Sequence, residues 1–169
     1  MKTIEIFTDG ATPNNQHKGN RVGGVGVFFG SIDDERNISL KLKETKTFKV
    51  TNNVCELTAC YMALDTIIKT QDIKGYKIII YSDSTYVINS ISKWARGWEK
   101  KGWKKADGKT VDNLELVQKI YYMYSNLNIE FIHVRSHKSE PKDVNSKEHF
   151  IWFGNYMADK LAVEATTMK

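Results

Sequence analysis

The segment Tyr76-Lys77-Ile78-Ile79-Ile80-Tyr81-Ser82 sets the strongest limit on how this chain can fold. It is a short run rich in β-branched and aromatic residues, preceded by Gly75 and followed by Asp83. Such a run reads as a central strand buried on both faces. A sheet covered on both sides needs further layers, and the rest of the chain must supply them. Upstream, Thr3 to Thr8 alternates as a strand and is broken by Asp9-Gly10, with a polar loop from Ala11 to Arg21. Val22 to Gly30, apolar and glycine-rich, reads as a second strand. Ile38 to Phe48 sets Leu40 and Leu42 against Lys41 and Lys43, the mark of a half-exposed third strand. Three strands in succession with short links predict an antiparallel meander.

The period then changes. Val54, Leu57, Tyr61, Leu64 and Ile68 recur at helical spacing, with Asn53 as the expected cap. After the central strand, Tyr86, Val87 and Ile91 open a helix that runs into a basic window, and Leu114, Val117, Ile120 and Tyr121 mark another. Ile129 to Val134 reads as a strand, Lys138 to His149 as a long polar loop, and Tyr156 to Thr166 as a closing helix. The predicted order is β-β-β-α-β-α-α-β-α, an α/β fold with a mixed sheet, in one domain over residues 1–169.

An apolar fraction of 41% is too high for a disordered chain. No apolar run approaches the roughly 18 residues of a membrane span. Met1-Lys2-Thr3-Ile4-Glu5 lacks the features of a signal peptide. The protein is expected inside the cell, without a membrane partner. Cys55 and Cys60 fall on divergent faces of a predicted helix and are expected as buried free thiols in a reducing compartment.

The net charge of +5 is local: residues 93–109 hold seven basic and two acidic residues, and the remainder is balanced. Trp94, Trp98 and Trp103 alternate there with Lys93, Arg96, Lys100, Lys101, Lys104 and Lys105. Cations contact phosphates, and rings offer faces to sugars or bases. In a plainer reading the tryptophans are core anchors and the lysines a solvated face, and at least one Trp is expected to be structural. All the net charge beside three aromatics favours polyanion binding.

Four carboxylates sit at element ends. Asp9 follows the first strand, Asp83 the central one, Glu56 stands in the first turn of the first long helix, and Asp159 lies in the last helix. Ligands collect at the carboxyl ends of strands in open α/β sheets. Clustered carboxylates repel unless neutralised, and Mg²⁺ is a hard cation suited to oxygen ligands. Two such ions can clamp both oxygens of a phosphodiester displacement. Taken singly, each has a plainer account: a turn former, a helix-end charge, a solvated surface residue.

Several segments together resemble type 1 ribonuclease H. They are Phe7-Thr8-Asp9-Gly10, Thr51-Asn52-Asn53-Val54-Cys55-Glu56-Leu57, Tyr81-Ser82-Asp83-Ser84, Trp94 to Lys104, His133-Val134-Arg135-Ser136-His137, and Gly154-Asn155 to Ala162. The resemblance covers nearly the whole chain, and its specificity lies in the ordered set. It implies a ribonuclease H-like fold with a five-stranded mixed sheet, flanking helices and a basic protrusion over about 93–109. It implies a monomeric endonuclease that cuts the RNA strand of an RNA–DNA hybrid with two Mg²⁺ or Mn²⁺ ions, leaving 5′-phosphate and 3′-hydroxyl ends.

Carried over by position, Asp9, Glu56, Asp83 and Asp159 are the metal-binding carboxylates, and His137 assists proton transfer or product release. Trp94, Trp98, Lys100, Lys101, Trp103 and Lys104 belong to the arm that holds the DNA strand. Lys49, Thr51 and Asn113 match a DNA-phosphate pocket. Asn52 and Asn53 match minor-groove contacts, Gly10 a contact to an RNA 2′-hydroxyl, and Asn155 a further substrate contact. Thr85 stands where many relatives carry a longer amide, which implies a weaker contact. The 21 residues between His137 and Asp159 exceed the family's compact spacing, a departure that falls beside His137. The chain starts at its first strand, with no N-terminal hybrid-binding module, so modest processivity is expected. Three alternatives stay open: a related polynucleotidyl transferase or exonuclease, a non-catalytic hybrid or double-stranded RNA binder, and a domain excised from a reverse transcriptase.

Overall fold

Alternation along the strands decides which layer covers which face. Ile6, Val27 and Ile80 are buried on one face of the sheet, and Phe7, Phe28 and Tyr81 on the other, as a side-chain period of two requires. In the computed structural model, which describes residues 2–14 and 16–169, five strands carry this pattern. They are β1 (Lys2–Ala11), β2 (Val22–Phe28), β3 (Ile38–Lys43), β4 (Tyr76–Ser82) and β5 (Ile129–His133). Their order across the sheet is β3-β2-β1-β4-β5. β1, β2 and β3 pair antiparallel, the expected meander. β4 joins β1 in parallel, and β5 joins β4 in parallel.

Helix α1 (Asn52–Thr70) connects β3 to β4 and packs Leu57, Cys60, Leu64 and Ile67 against the Ile6 face. Helix α2 (Thr85–Asn89) passes through a π-helical turn, Ser90–Trp94, into α3 (Ala95–Lys100), and α4 (Leu114–Asn126) follows. Helix α5 (Lys147–Thr166) covers the opposite face, with Phe150, Ile151 and Phe153 against Phe7 and Phe28. The rings of Phe7 and Tyr81 stack at 4.5 Å between centroids, joining β1 to β4 beneath α5.

The element order follows the sequence expectation if the broken α2–α3 segment counts as one helix. Several boundaries do not. Asp9-Gly10 does not end β1, because the pairing with β2 continues through Asp9↔Gly26, Gly10↔Val25 and Ala11↔Gly24. β3 stops at Lys43, short of Phe48. The cap of α1 is Thr51, whose Oγ1 accepts from Val54 N at 3.1 Å, so Asn53 is inside the helix and Glu56 lies beyond its first turn. The last helix begins at Lys147, where Ser146 Oγ accepts from His149 N at 3.1 Å. Ile151-Trp152-Phe153 is therefore part of that helix.

Two missing side chains set how closely the helices approach the sheet. A Cβ at Gly26 would stand 2.1 Å from the Ala158 carbonyl oxygen of α5. A Cβ at Gly10 would stand 2.7 Å from the Glu56 backbone nitrogen of α1. Neither obstacle is a flexible side-chain end, so a larger residue must move a helix. Gly26→Ala is expected to destabilise the fold by about 1–3 kcal/mol or more, read as a lower Tm, and to shift α5 away from β2. An unchanged Tm would show that the contact is looser than this packing requires.

Candidate active site

The sheet register brings two carboxylates side by side. The parallel pairing of β1 with β4 ends at Thr8↔Ser82, so Asp9 and Asp83 are the next residues on neighbouring strands. Gly10 lets α1 press against β1, which brings Glu56 to the same point. Asp9, Glu56 and Asp83 each offer an oxygen, all within 4.8 Å of one another. Asp159 arrives from α5, directly after Ala158, the residue against which Gly26 packs. Its carboxylate raises the pKa of Asp9 through a hydrogen bond and through repulsion. Asp9 and Glu56 are buried, while Asp83 and Asp159 are partly buried. Burial first, then Asp83 and Asp159, pushes Asp9 up to about 9. Burial first, then Asp9 and Asp83, pushes Glu56 up to about 10.

The cluster therefore holds its negative charge poorly by itself. Glu56 Oε1 and Asp83 Oδ1 are buried without a hydrogen-bond partner among the described residues. Buried oxygens of this kind need an explanation. A donor set made only of carboxylate oxygens fits hard divalent cations such as Mg²⁺ or Mn²⁺. His137, in the left-handed region at φ 58°, sits on an exposed turn and lines one cavity with Asp159. Cys55, next to Glu56, is raised to about 11, first by burial and then by Glu56, and both cysteines are buried free thiols.

The basic window folds into an arm that closes on itself. Trp103 N donates to Trp98 O at 2.7 Å, Val111 N donates to Trp103 O at 3.1 Å, and Lys104 bridges Thr110. Trp103 adopts φ 63°, which is unusual for a bulky side chain. Its ring meets Tyr121 and Tyr122 of α4 edge-on. Trp98 and Trp103 pack partly against the core, and Trp94 is 45% exposed beside Trp98. Lys93, Arg96, Lys100 and Lys101 are exposed and form no ion pair among the described residues. Lys105 lies 3.4 Å from Asp112.

Most of the remaining sequence candidates lie near the N-terminal ends of helices. Lys49 is exposed, Thr51 is the α1 cap, and Asn52 and Asn53 are exposed in its first turn. Buried Glu44 accepts from Arg21 Nε at 3.0 Å and Val50 N at 3.1 Å, which fixes the chain between them, and Arg21 holds its carboxyl down to about 2. Thr85 is exposed at the start of α2. Asn113 Nδ2 donates to Tyr86 Oη at 3.1 Å, tying the start of α4 to α2. Sequence reasoning passed over Tyr86 in this role, since no local pattern marks a partner 27 residues away. Asn155 faces the cavity shared by His137 and Asp159.

Carboxylates that face one another on neighbouring parallel strands, in a chain that also carries a cationic aromatic arm, point to a metal-dependent nuclease. The family model described as RNase H matches residues 1–167. The ribonuclease H of Novosphingobium aromaticivorans is 34% identical over 165 residues, covering 98% of this chain and 97% of that relative. The chain belongs to the ribonuclease H family. Among solved structures, LC9-RNase H1, a type 1 RNase H, aligns with TM-score 0.70 at 23% identity, covering 98% of this chain and 72% of that one. LC11-RNase H1, solved in complex with RNA/DNA hybrid, aligns with TM-score 0.55 at 21% identity, covering 96% of each chain.

The raised carboxyl groups give a pH dependence with a definite sign. Asp9 and Glu56 bind protons more tightly in the metal-free folded state than in the unfolded chain. Their contribution is fully present below the unfolded values near 4 and is lost as pH rises through about 9 to 10. Melting curves of metal-free protein should show Tm falling with rising pH. Added Mg²⁺ should raise Tm more at about pH 9 than at about pH 5, because cations replace the protons. A shift of equal size at both would contradict this cluster as the binding site.

Proposed function

We propose that the protein is an endonuclease that hydrolyses the RNA strand of an RNA–DNA hybrid, with Asp9, Glu56, Asp83 and Asp159 holding two Mg²⁺ ions, for which Mn²⁺ can substitute. The observation that carries this reading is the meeting of Asp9, Glu56 and Asp83 oxygens within 4.8 Å in a chain of this family. When bound, the cations supply Lewis acidity, making a water nucleophile available and neutralising charge on the attacking and leaving oxygens. In the hydrolysis a water oxygen bonds to phosphorus while the P–O3′ bond breaks. The 5′ fragment ends in a 3′-hydroxyl and the 3′ fragment in a 5′-phosphate.

The chain's own residues orient the strands and handle the proton. His137, in one cavity with Asp159, serves the proton that the departing oxygen takes up, or the release of product. Glu56 accepts from a ribose 2′-hydroxyl, and Gly10 contacts the same strand, which distinguishes RNA from DNA. The DNA strand lies on Trp94, Trp98, Lys100, Lys101, Trp103 and Lys104. Its phosphate enters the pocket of Lys49, Thr51 and Asn113. Thr51 Oγ1 accepts from Val54 N, which leaves its proton free for a phosphate oxygen. Asn52, Asn53, Thr85 and Asn155 contact the duplex between these points. Residues 1–169 act as one catalytic unit. One chain provides all four carboxylates, so the active species is a monomer. It works inside the cell, where its free thiols stay reduced.

Incubation with an RNA–DNA hybrid, double-stranded RNA and double-stranded DNA, with and without Mg²⁺, tests the reading. Metal-dependent cleavage confined to the hybrid's RNA strand is expected, and its absence sinks the proposal. Asp83→Asn should lower kcat by on the order of 10²–10³-fold while hybrid binding is largely kept. Full activity in this variant would remove Asp83 from the site. Neutralising Lys100, Lys101, Lys104 and Lys105 should raise KM and flatten the salt dependence by up to about 0.9 in log–log slope per lost phosphate contact. Lys100 and Lys101 should contribute most, since Lys105 is partly engaged by Asp112. An unaltered slope would place DNA binding elsewhere.

A further inference from the structure

The first turns of α5 build a wall beside Asp159. Trp152, Tyr156 and Asp159 are spaced four and three apart, so they share one helix face. Trp152 and Tyr156 stack at 5.4 Å between centroids with planes 16° apart, and Tyr156 remains 48% exposed. A cavity of about 270 Å³ lies between this face and the turn after β5, bounded by His137, Trp152, Tyr156 and Asp159. A second, of about 510 Å³, continues along the helix past Ile132, Val134, Arg135, Glu148 and Ile151. The two share Lys138, Trp152 and Asn155, so they form one groove running from Asp159.

The groove is held open by hydrogen bonds between the turn and α5. Trp152 Nε1 donates to Lys138 O at 2.9 Å, and His149 Nε2 lies 2.8 Å from Glu140 Oε2. Its walls are Ile132, Val134, Ile151 and Trp152, and Arg135 and Lys138 add positive charge. Arg135 is exposed and forms no ion pair among the described residues. A concave, largely apolar site of this size with a few polar groups suits a nucleotide-sized ligand.

We infer that this groove takes an unpaired ribonucleotide of the RNA strand, a few residues from the cut. The inference rests on the reading that the chain cleaves hybrid RNA. Bases inside a duplex have their faces covered by neighbours, whereas an unpaired base can lie against an aromatic and apolar wall. Arg135 and Lys138 face its phosphates, and Glu148 faces its polar edge. Trp152 and Asp159 are seven positions apart along the helix, a rise of about 10 Å. At about 3.4 Å per nucleotide that places the unpaired residue roughly three nucleotides from the cut. The enzyme is thereby fitted to junctions where a hybrid gives way to single-stranded RNA.

The test compares a fully paired hybrid with hybrids whose pairing ends about three nucleotides from the cleavage site, the RNA continuing unpaired on the 5′ or the 3′ side. The groove lies to one side of the carboxylates, so one of the two tails should lower KM by about tenfold. Arg135→Ala and Glu148→Ala, both at exposed positions outside the cavity of His137 and Asp159, should abolish that advantage and cut the fully paired hybrid like the parent protein. Equal KM for tailed and paired substrates in the parent overturns the inference, as does an equal loss on both substrates in either variant. A parent protein that leaves every hybrid uncut overturns the hybrid-nuclease reading instead.

Discussion

Backbone-to-backbone approach is the constraint from which the rest of this structure follows. Helix α5 can rest on β2 only because Gly24 and Gly26 present no side chain to the Ala162 and Ala158 carbonyls. Helix α1 can rest on β1 only because Gly10 leaves room for the Cys55–Glu56 peptide. The two helices lie on opposite faces of the sheet, yet both deliver a carboxylate to the end of β1. The same approach that buries the core also withdraws water from Asp9 and Glu56, which is why their acidity is so weak. Packing and the site's electrostatics are therefore one design.

The cluster and the arm divide the work by charge. The cluster gathers carboxyl groups that hold protons when no cation is present, because burial and mutual repulsion disfavour their charge. The arm carries the chain's whole excess of positive charge on residues that form few internal pairs. Its shape comes from short-range hydrogen bonds around Trp98, Trp103 and Val111, with α4 as the backing. Its lysines can therefore engage a polyanion at little cost to the fold. The positive charge and the carboxylates thus sit on different segments of the chain.

Much of this was legible in the sequence because it rests on local patterns. The β-rich run at Tyr76–Ser82 became β4 with unchanged bounds, since a strand buried on both faces leaves an uninterrupted apolar signature. Asp9 and Asp83 were placed as neighbours by one inference about parallel pairing. The start of α5 was not legible. Its fully buried stripe is Gly154, Ala158, Ala162 and Ala165, small residues that allow close approach, and its first turn, Lys147-Glu148-His149, is polar and reads as a continuation of the loop. The end of β1 was misplaced because Asp-Gly is a turn dipeptide, while its partner strand keeps the pair extended. Asn53 stands closest to the apolar period and so resembles a cap, but Thr51 holds the hydrogen bond. The groove beside α5 depends on the turn at 135–146 folding back, a long-range contact without a sequence signature.

The position of Asp159 on α5 also orders events during synthesis. Asp9, Glu56 and Asp83 are translated with β1, α1 and β4, whereas Asp159 comes with the last helix. A growing chain that lacks α5 holds three of the four carboxylates and leaves the Phe7–Phe28–Tyr81 face uncovered. The docking of α5 closes that face and completes the cluster in one motion. A nascent polypeptide beside its own messenger thus acquires its full set of acidic side chains only when its hydrophobic layers are also complete.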